Sequence, residues 1–231
     1  MITLFENLFN DKKIQFIDDE EGDFSIGEPP RKDSSGYNIR IVGLPKGAYL
    51  IGVDDNFKVE SIFGSCHSQS KRPDYLIVDP DKSIACVIEL KSSPIWSDLD
   101  KPDIISQLKG GQAFLEYCEA LIKIFASGKD DDSCSAPCFW CRGEHKSHKY
   151  KIRYVCIYGL KSDKSKSVGF KRRHITPPRR GRMSPKSIVE NSPNNFIKIG
   201  REDIYIDGDT HQMEIYWNKI LYGSKFYKPG E

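Results

Sequence analysis

The sequence predicts an α/β protein, a mixed β-sheet flanked by helices. Three observations carry that expectation. Two apolar, β-prone runs at 75–78 and 84–88 flank Asp79, Pro80, Asp81 and Lys82, a cluster of turn formers, and together they read as a hairpin. Ile104, Leu108, Gly111, Leu115, Cys118, Ile122 and Phe125 then fall on one helical stripe, predicting a long amphipathic helix over 103–126. A further apolar run at 151–160 follows that helix, so strand, helix and strand succeed one another as a parallel crossover requires.

Size and composition bound the rest. The 231 residues fit a single domain, 1–231, large enough to bury a substantial core. A hydrophobic content of 38% beside a charged content of 29% describes a soluble globular chain with long polar loops. With a net charge of +2, no overall field attracts a polyanion, and affinity for nucleic acid has to come from local patches. No apolar run approaches the roughly 20 residues of a membrane span. The start, from Met1 to Glu6, lacks a basic flank and an apolar signal core, which predicts a cytoplasmic protein without a membrane partner. Seven cysteines, an odd number with three crowded between 134 and 141, suit reduced thiols or a metal better than a disulfide framework.

In chain order, residues 2–9 carry apolar side chains at helical spacing and predict a short opening helix capped by Thr3, with Glu6 on its solvated face. Residues 18–37 are acidic, then rich in Pro, Gly and Ser, and read as a loop. Alternation at 38–42, an apolar run at 48–53 and renewed alternation at 57–63 predict a β-meander leading into the hairpin, with Glu60 facing solvent. Residues 64–72 are polar and read as a loop carrying His67 at the surface.

The hairpin organises the candidate chemistry. Because strand side chains alternate, Glu89 and Lys91 share one face while Leu90 turns into the core. Asp74 opens the first strand just after Pro73, so antiparallel pairing through a short turn brings it beside Glu89. Two carboxylates are hard oxygen ligands for Mg2+ or Mn2+, an ion that keeps several waters and also contacts substrate phosphate. A lysine beside them can position or help deprotonate an attacking water, or offset charge building on phosphorus. The chemistry these groups imply is phosphodiester hydrolysis. The bland reading of an acid-x-Lys triplet is a solvated strand exit, but Pro-Asp, two apolar strands and Glu-x-Lys together form a rarer pattern.

Pro73, Asp74, Glu89 and Lys91, with 14 residues between the two carboxylates, resemble the motif of the PD-(D/E)xK nuclease superfamily. The resemblance covers residues 73–91 and extends loosely to about residue 160, without identifying a subfamily. It implies a restriction-endonuclease-like core and a Mg2+- or Mn2+-dependent nuclease, with DNA favoured over RNA. Asp74 and Glu89 would bind the metal, the backbone carbonyl of Leu90 would complete its coordination, and Lys91 would act on the attacking water. Many members carry an acidic residue on the first helix, where Glu6 stands here, and a glutamine on the helix after the motif, to which Gln107 is similar. The Gln-x-x-x-Tyr form of some relatives is absent, since Gly111 stands four residues after Gln107 and Tyr117 five after Gln112. Members of this superfamily include restriction, repair and phage-defence enzymes. An effector subunit of such a system, working with a protein partner or as a homo-oligomer, fits a chain with no visible sequence-reading domain. The competing reading is a non-catalytic nucleic-acid-binding or scaffolding module on the same fold, against which the intact Asp74, Glu89 and Lys91 argue.

Residues 92–103 hold Pro94 and Pro102 and read as a loop ahead of the long helix. Gly110 and Gly111 inside that helix each cost about 1 kcal/mol relative to alanine, which predicts close approach by backbone or substrate, or a local break. Residues 127–150 shift to charged and small residues around Cys134, Cys138, Cys141, His145 and His148, a ligand-rich insertion that would gain order from structural zinc but matches no standard knuckle, the alternative being a flexible Cys/His-rich loop. Residues 161–187 are densely basic, and Arg172, Arg173, Arg179, Arg180 and Arg182 are the phosphate-binding candidates, the alternative being a disordered basic loop with no partner. Toward the C-terminus, 203–207 read as a short strand and 213–221 as a helix packing on the sheet, with His211 between them in a structural role. No internal repeat, Gly-rich phosphate loop or Ser/His/Asp hydrolase signature is present.

Overall fold

The computed structural model describes residues 14–29, 36–54, 71–92, 101–126, 150–160, 191–206 and 212–223. In chain order these form β1 (Ile14–Phe16), β2 (Glu21–Glu28), β3 (Tyr37–Pro45), β4 (Tyr49–Gly52), β5 (Tyr75–Asp79), β6 (Ile84–Lys91), α1 (Lys101–Ala126), β7 (Lys151–Tyr158), β8 (Ile197–Ile199), β9 (Tyr205–Ile206), β10 (Met213–Tyr216) and α2 (Trp217–Tyr222). A 3-10 turn at Arg201–Asp203 joins β8 to β9. The architecture is mixed α/β with two mixed sheets.

The hairpin lies at the middle of a six-stranded sheet ordered β1-β4-β5-β6-β7-β8. β5 and β6 pair antiparallel from Tyr75 opposite Ile88 to Asp79 opposite Ile84. Their turn is closed by the backbone N–H of Lys82, which donates to Asp79 Oδ1 at 3.1 Å, and by Ser83 in the left-handed region at φ 52°. β6 is buried at every position except Lys91, because both faces of the sheet are covered. β7 runs parallel to β6, from Lys151 opposite Ile84 to Lys91 opposite Tyr158, with α1 as the crossover between them. β8 then adds in parallel to β7.

Alternation sends the side chains of this sheet into two cores. Leu50, Ile77, Cys86, Ile88, Leu90, Val155 and Ile157 join Phe24, Ile26, Ile39, Ile41 and Ile215 of the second sheet, together with Trp217 and Leu221 of α2. Ile51, Leu76, Val78, Val87 and Cys156 join Ile104, Leu108, Leu115 and Cys118 of α1. Helix, six-stranded sheet and four-stranded sheet thus form three layers, each fully buried Ile or Leu stabilising the packing by about 1.5–3 kcal/mol.

The second sheet, ordered β2-β3-β10-β9, departs from the sequence expectation in three ways. The loop expected over 18–37 contains the eight-residue β2, since Phe24 and Ile26 alternate inward while Asp23 and Ser25 face out, a pattern hidden by the flanking acids. The expected meander does not form between β3 and β4, which belong to different sheets. The chain changes sheet at Lys46 and Gly47, where Gly47 takes φ 82° and donates its N–H to Ile17 O at 2.8 Å. The expected helix at 213–221 begins as β10, parallel to β3 from Met213 opposite Ile39, and becomes helical only at Trp217.

α1 also starts earlier than expected, at Lys101, taking in Pro102 and Asp103. Proline suits a first turn that lacks N–H acceptors, and an acid there complements the helix dipole. Among the described residues no helix is long and apolar enough to cross a membrane. The expected helix at 2–9 with Glu6, the strand at 57–63 with Glu60, and His67 and His211 lie outside the described residues.

Candidate functional site

Asp74 is fixed from two sides. Its carbonyl accepts the N–H of Val53 at 2.9 Å, carrying the β4–β5 pairing one residue beyond β5. Continuing the β5–β6 register by the same step sets Asp74 opposite Glu89. The carboxylate itself accepts the N–H of Leu90 on Oδ2 at 2.6 Å, so it is fastened to the backbone link between Glu89 and Lys91. Leu90 turns into the intersheet core, which leaves Glu89 and Lys91 on the α1 side of the sheet.

The approach to Asp74 is set by the paired glycines of α1. A Cβ on Gly110 would lie 1.8 Å from the carbonyl oxygen of Lys71, and one on Gly111 would lie 2.4 Å from Val87 Cγ1 and 2.7 Å from Pro73 Cγ. The helix is unbroken there, so the glycines serve close approach by backbone, and they let α1 lie directly on residues 71–73. The same packing brings Gln107 to the motif. Lys91 Nζ donates to Gln107 Oε1 at 3.0 Å and stands 2.8 Å from Glu89 Oε1.

Asp74, Glu89, Lys91 and Gln107, which the sequence pattern singles out, therefore converge at the C-terminal end of β6. Glu89 is 1% exposed, and its second oxygen, Oε2, is buried with no hydrogen-bond partner among the described residues. Burial and the charge of Asp74 raise the Glu89 carboxyl to about 8 despite the neighbouring Lys91. Burial likewise raises Asp74 to about 6, against the Leu90 N–H and Lys91, which favour its ionised form. Burial pulls the Lys91 ammonium down, but Glu89 and Asp74 outweigh it and hold the group above its ordinary range, as a cation.

An orphaned, buried carboxylate oxygen beside a second carboxylate fits a cation, which would supply the missing partner and relieve the repulsion between the two acids. Asp74, Glu89 and the carbonyl of Leu90 are the groups that could hold one. Among the described residues no three His, Cys, Asp or Glu side chains group to hold a metal ion. Two carboxylates with the remaining positions left to backbone, water and substrate is the habit of Mg2+ rather than of zinc.

Two acids of this region escaped the sequence reading. The charge of Asp54 acts on both Asp74 and Glu89, and that of Glu28 acts on Asp74. Asp54 follows β4 in a stretch that reads as a turn, and only the β4–β5 pairing reveals that it ends up across from Pro73. Glu28 ends β2, within a stretch whose acids, prolines and glycines read as loop. Cys134, Cys138, Cys141, His145 and His148, and Arg172, Arg173, Arg179, Arg180 and Arg182, lie outside the described residues.

No family model, no curated protein and no solved structure matches the chain.

Proposed function

We propose that the chain is a metal-dependent nuclease that hydrolyses phosphodiester bonds, with DNA the favoured substrate, on a restriction-endonuclease-like core of the PD-(D/E)xK kind. The observation that carries this reading is the unpartnered, buried Glu89 Oε2 beside Asp74, with Lys91 bound to the other oxygen of the same carboxylate. Strand, crossover helix and parallel strand around the motif support it, since ligand sites of such sheets lie at the carboxyl ends of the strands.

Asp74, Glu89 and the Leu90 carbonyl would hold Mg2+ or Mn2+, which when bound supplies positive charge to the phosphate and acidifies water. The chain's own part is positional. The Leu90 N–H and the β4 pairing keep Asp74 in one place, and Glu89 and Gln107 hold the Lys91 ammonium between them. From there Lys91 orients the attacking water and offsets negative charge gathering on the phosphate. Outside the described residues, Arg172, Arg173, Arg179, Arg180 and Arg182 supply phosphate contacts, and Cys134, Cys138, Cys141, His145 and His148 take a structural zinc. A cytoplasmic effector subunit of a defence or repair system, acting with a protein partner or as a homo-oligomer, is the setting this reading favours.

The test is incubation of the purified protein with plasmid, linear duplex, single-stranded DNA and RNA, each with Mg2+, Mn2+ or EDTA. Cleavage of DNA that needs the metal and stops in EDTA is the expected result. Binding without cleavage under every metal condition would leave the non-catalytic module as the better reading.

A further inference from the structure

The ends of three adjacent parallel strands carry Lys91 on β6, Tyr158 on β7 and Lys198 on β8. Lys91 pairs in register with Tyr158, while two residues back Glu89 pairs with Cys156 and Cys156 with Lys198. Partners in register share a face, so Lys198 lies on the same side of the sheet as Glu89. Its neighbours confirm that side: Ile197 and Ile199 turn into the intersheet core, while Phe196 belongs to the core under α1. Two strand spacings, roughly 9–10 Å, separate the Glu89 and Lys198 backbones.

Cys156, between them, is fully buried, and its thiol feels the charges of Glu89, Lys91, Asp74 and Lys198 together. The face of the sheet there is filled by core. A polymer leaving Asp74 and Glu89 toward β8 must therefore pass along the strand ends, over Tyr158. Lys198 is exposed, with its ammonium 6.0 Å from the centre of the Phe196 ring, and its flexible stem can carry the charge toward that edge. Tyr158 is half-buried, and its hydroxyl donates to Glu202 Oε1 at 3.4 Å, which steadies the ring. The Glu202 carboxylate, in the turn after β8, sits at the hydroxyl tip of Tyr158 and repels phosphate from that tip.

We propose that the substrate strand leaves the Asp74–Glu89 pair across the ends of β7 and β8, with Tyr158 stacking on the nucleotide beside the cleaved bond and Lys198 holding the next phosphate. This rests on the nuclease reading and adds to it a direction for the bound strand. Lys198 contributes charge and Tyr158 an uncharged aromatic face, so the two leave different signatures.

The experiment measures KM, kcat and the salt dependence of binding for wild type, Lys198→Ala, Lys198→Arg, Tyr158→Leu and Tyr158→Phe, on labelled DNA with Mg2+. Lys198→Ala should raise KM and lower the slope of log affinity against log salt by about one, and Lys198→Arg should restore both. Tyr158→Leu should weaken binding about tenfold without altering the salt slope, and Tyr158→Phe, which keeps the ring and loses only the Glu202 bond, should retain most of the wild-type affinity. In both cases the effect falls on KM rather than kcat. If wild type cleaves DNA while Lys198→Ala and Tyr158→Leu bind as it does, the path is wrong and the nuclease reading stands. If either variant loses kcat at unchanged KM, its assigned role is wrong in the same way. If wild type neither binds nor cleaves nucleic acid, the nuclease reading falls and the path falls with it.

Discussion

Lys91 Nζ donates to Gln107 Oε1 at 3.0 Å, a bond that ties the end of the motif strand to the first turns of the crossover helix. Because Glu89 holds the same ammonium at 2.8 Å, the lysine has one position rather than a sweep of rotamers. Gln107→Ala should leave the charge in place but release it from α1. The expected result is a 10–100-fold fall in kcat, of the order that removing an outer hydrogen-bond partner costs a reactive group, with KM little affected. Single-turnover cleavage at saturating substrate measures it, and a wild-type rate would make Gln107 a packing residue only.

Removing the groups to which the proposed mechanism assigns the chemistry should cost more. Asp74→Ala, Glu89→Ala and Lys91→Ala are each expected to lower cleavage by about 10²–10³-fold or more, the loss typical of a group that stabilises developing charge. Asp74→Ala should still bind DNA, since the proposed phosphate contacts are assigned to other residues. Circular dichroism and thermal midpoints separate loss of chemistry from loss of fold, and wild-type cutting by all three variants would mean that the site is misplaced.

Stability should depend on pH through the same carboxylates. The Glu89 carboxyl rises from an ordinary 4.5 to about 8, and Asp74 from 3.8 to about 6. A raised folded value means that the folded protein prefers the protonated acid. The contribution to stability is therefore complete below the unfolded values and is lost as pH climbs through the folded ones. In EDTA the wild-type melting temperature should fall between about pH 5 and about pH 8 relative to that of Glu89→Gln, which carries no charge to bury. Mg2+ should reverse the fall at the upper end, because in the proposed site it would bind only the ionised pair and only in the folded state, and it should do little for Glu89→Gln. Parallel wild-type and variant curves, with or without Mg2+, would show that Glu89 carries no such penalty.

The motif was legible in the sequence because it is local. Period-two alternation and a four-residue turn are enough to set Asp74 against Glu89, and helical spacing alone set out the stripe of α1. What escaped the reading was decided by partners distant in sequence. β2 offers only Phe24 and Ile26 as inward residues among acids, and it becomes a strand because β3 and the intersheet core receive them. Residues 213–216 sit in a helix-like pattern, yet pair with β3 more than 170 positions away, which no local period reveals. Asp54 reads as a turn residue until β4 is aligned with β5. Gln107 could be proposed from its place on the helix, but its bond to Lys91 depends on how closely α1 approaches the sheet, and that closeness comes from two glycines.

Those glycines also bear on stability. Alanine in a helix interior is normally favoured over glycine by about 1 kcal/mol, so a surface Gly→Ala change in α1 would be expected to stabilise. At Gly110 the new methyl would meet the Lys71 carbonyl oxygen at 1.8 Å, a backbone atom that cannot rotate away. At Gly111 it would meet Val87 and Pro73, which are side chains with some freedom to yield. Gly110→Ala should therefore destabilise the fold by about 1–3 kcal/mol net of the helical gain, and Gly111→Ala by less. Relief of the Gly110 clash would push residues 71–73 away from the helix, and Asp74, the next residue, would be drawn off the Leu90 N–H. The destabilised variant should consequently need more Mg2+ for half-maximal cleavage, even at temperatures where it remains folded. Denaturant midpoints and metal titrations of both variants decide the matter: equal stability of Gly110→Ala and wild type would show that α1 can lift from this segment without cost, and normal Mg2+ dependence in a destabilised Gly110→Ala would show that the segment does not position Asp74.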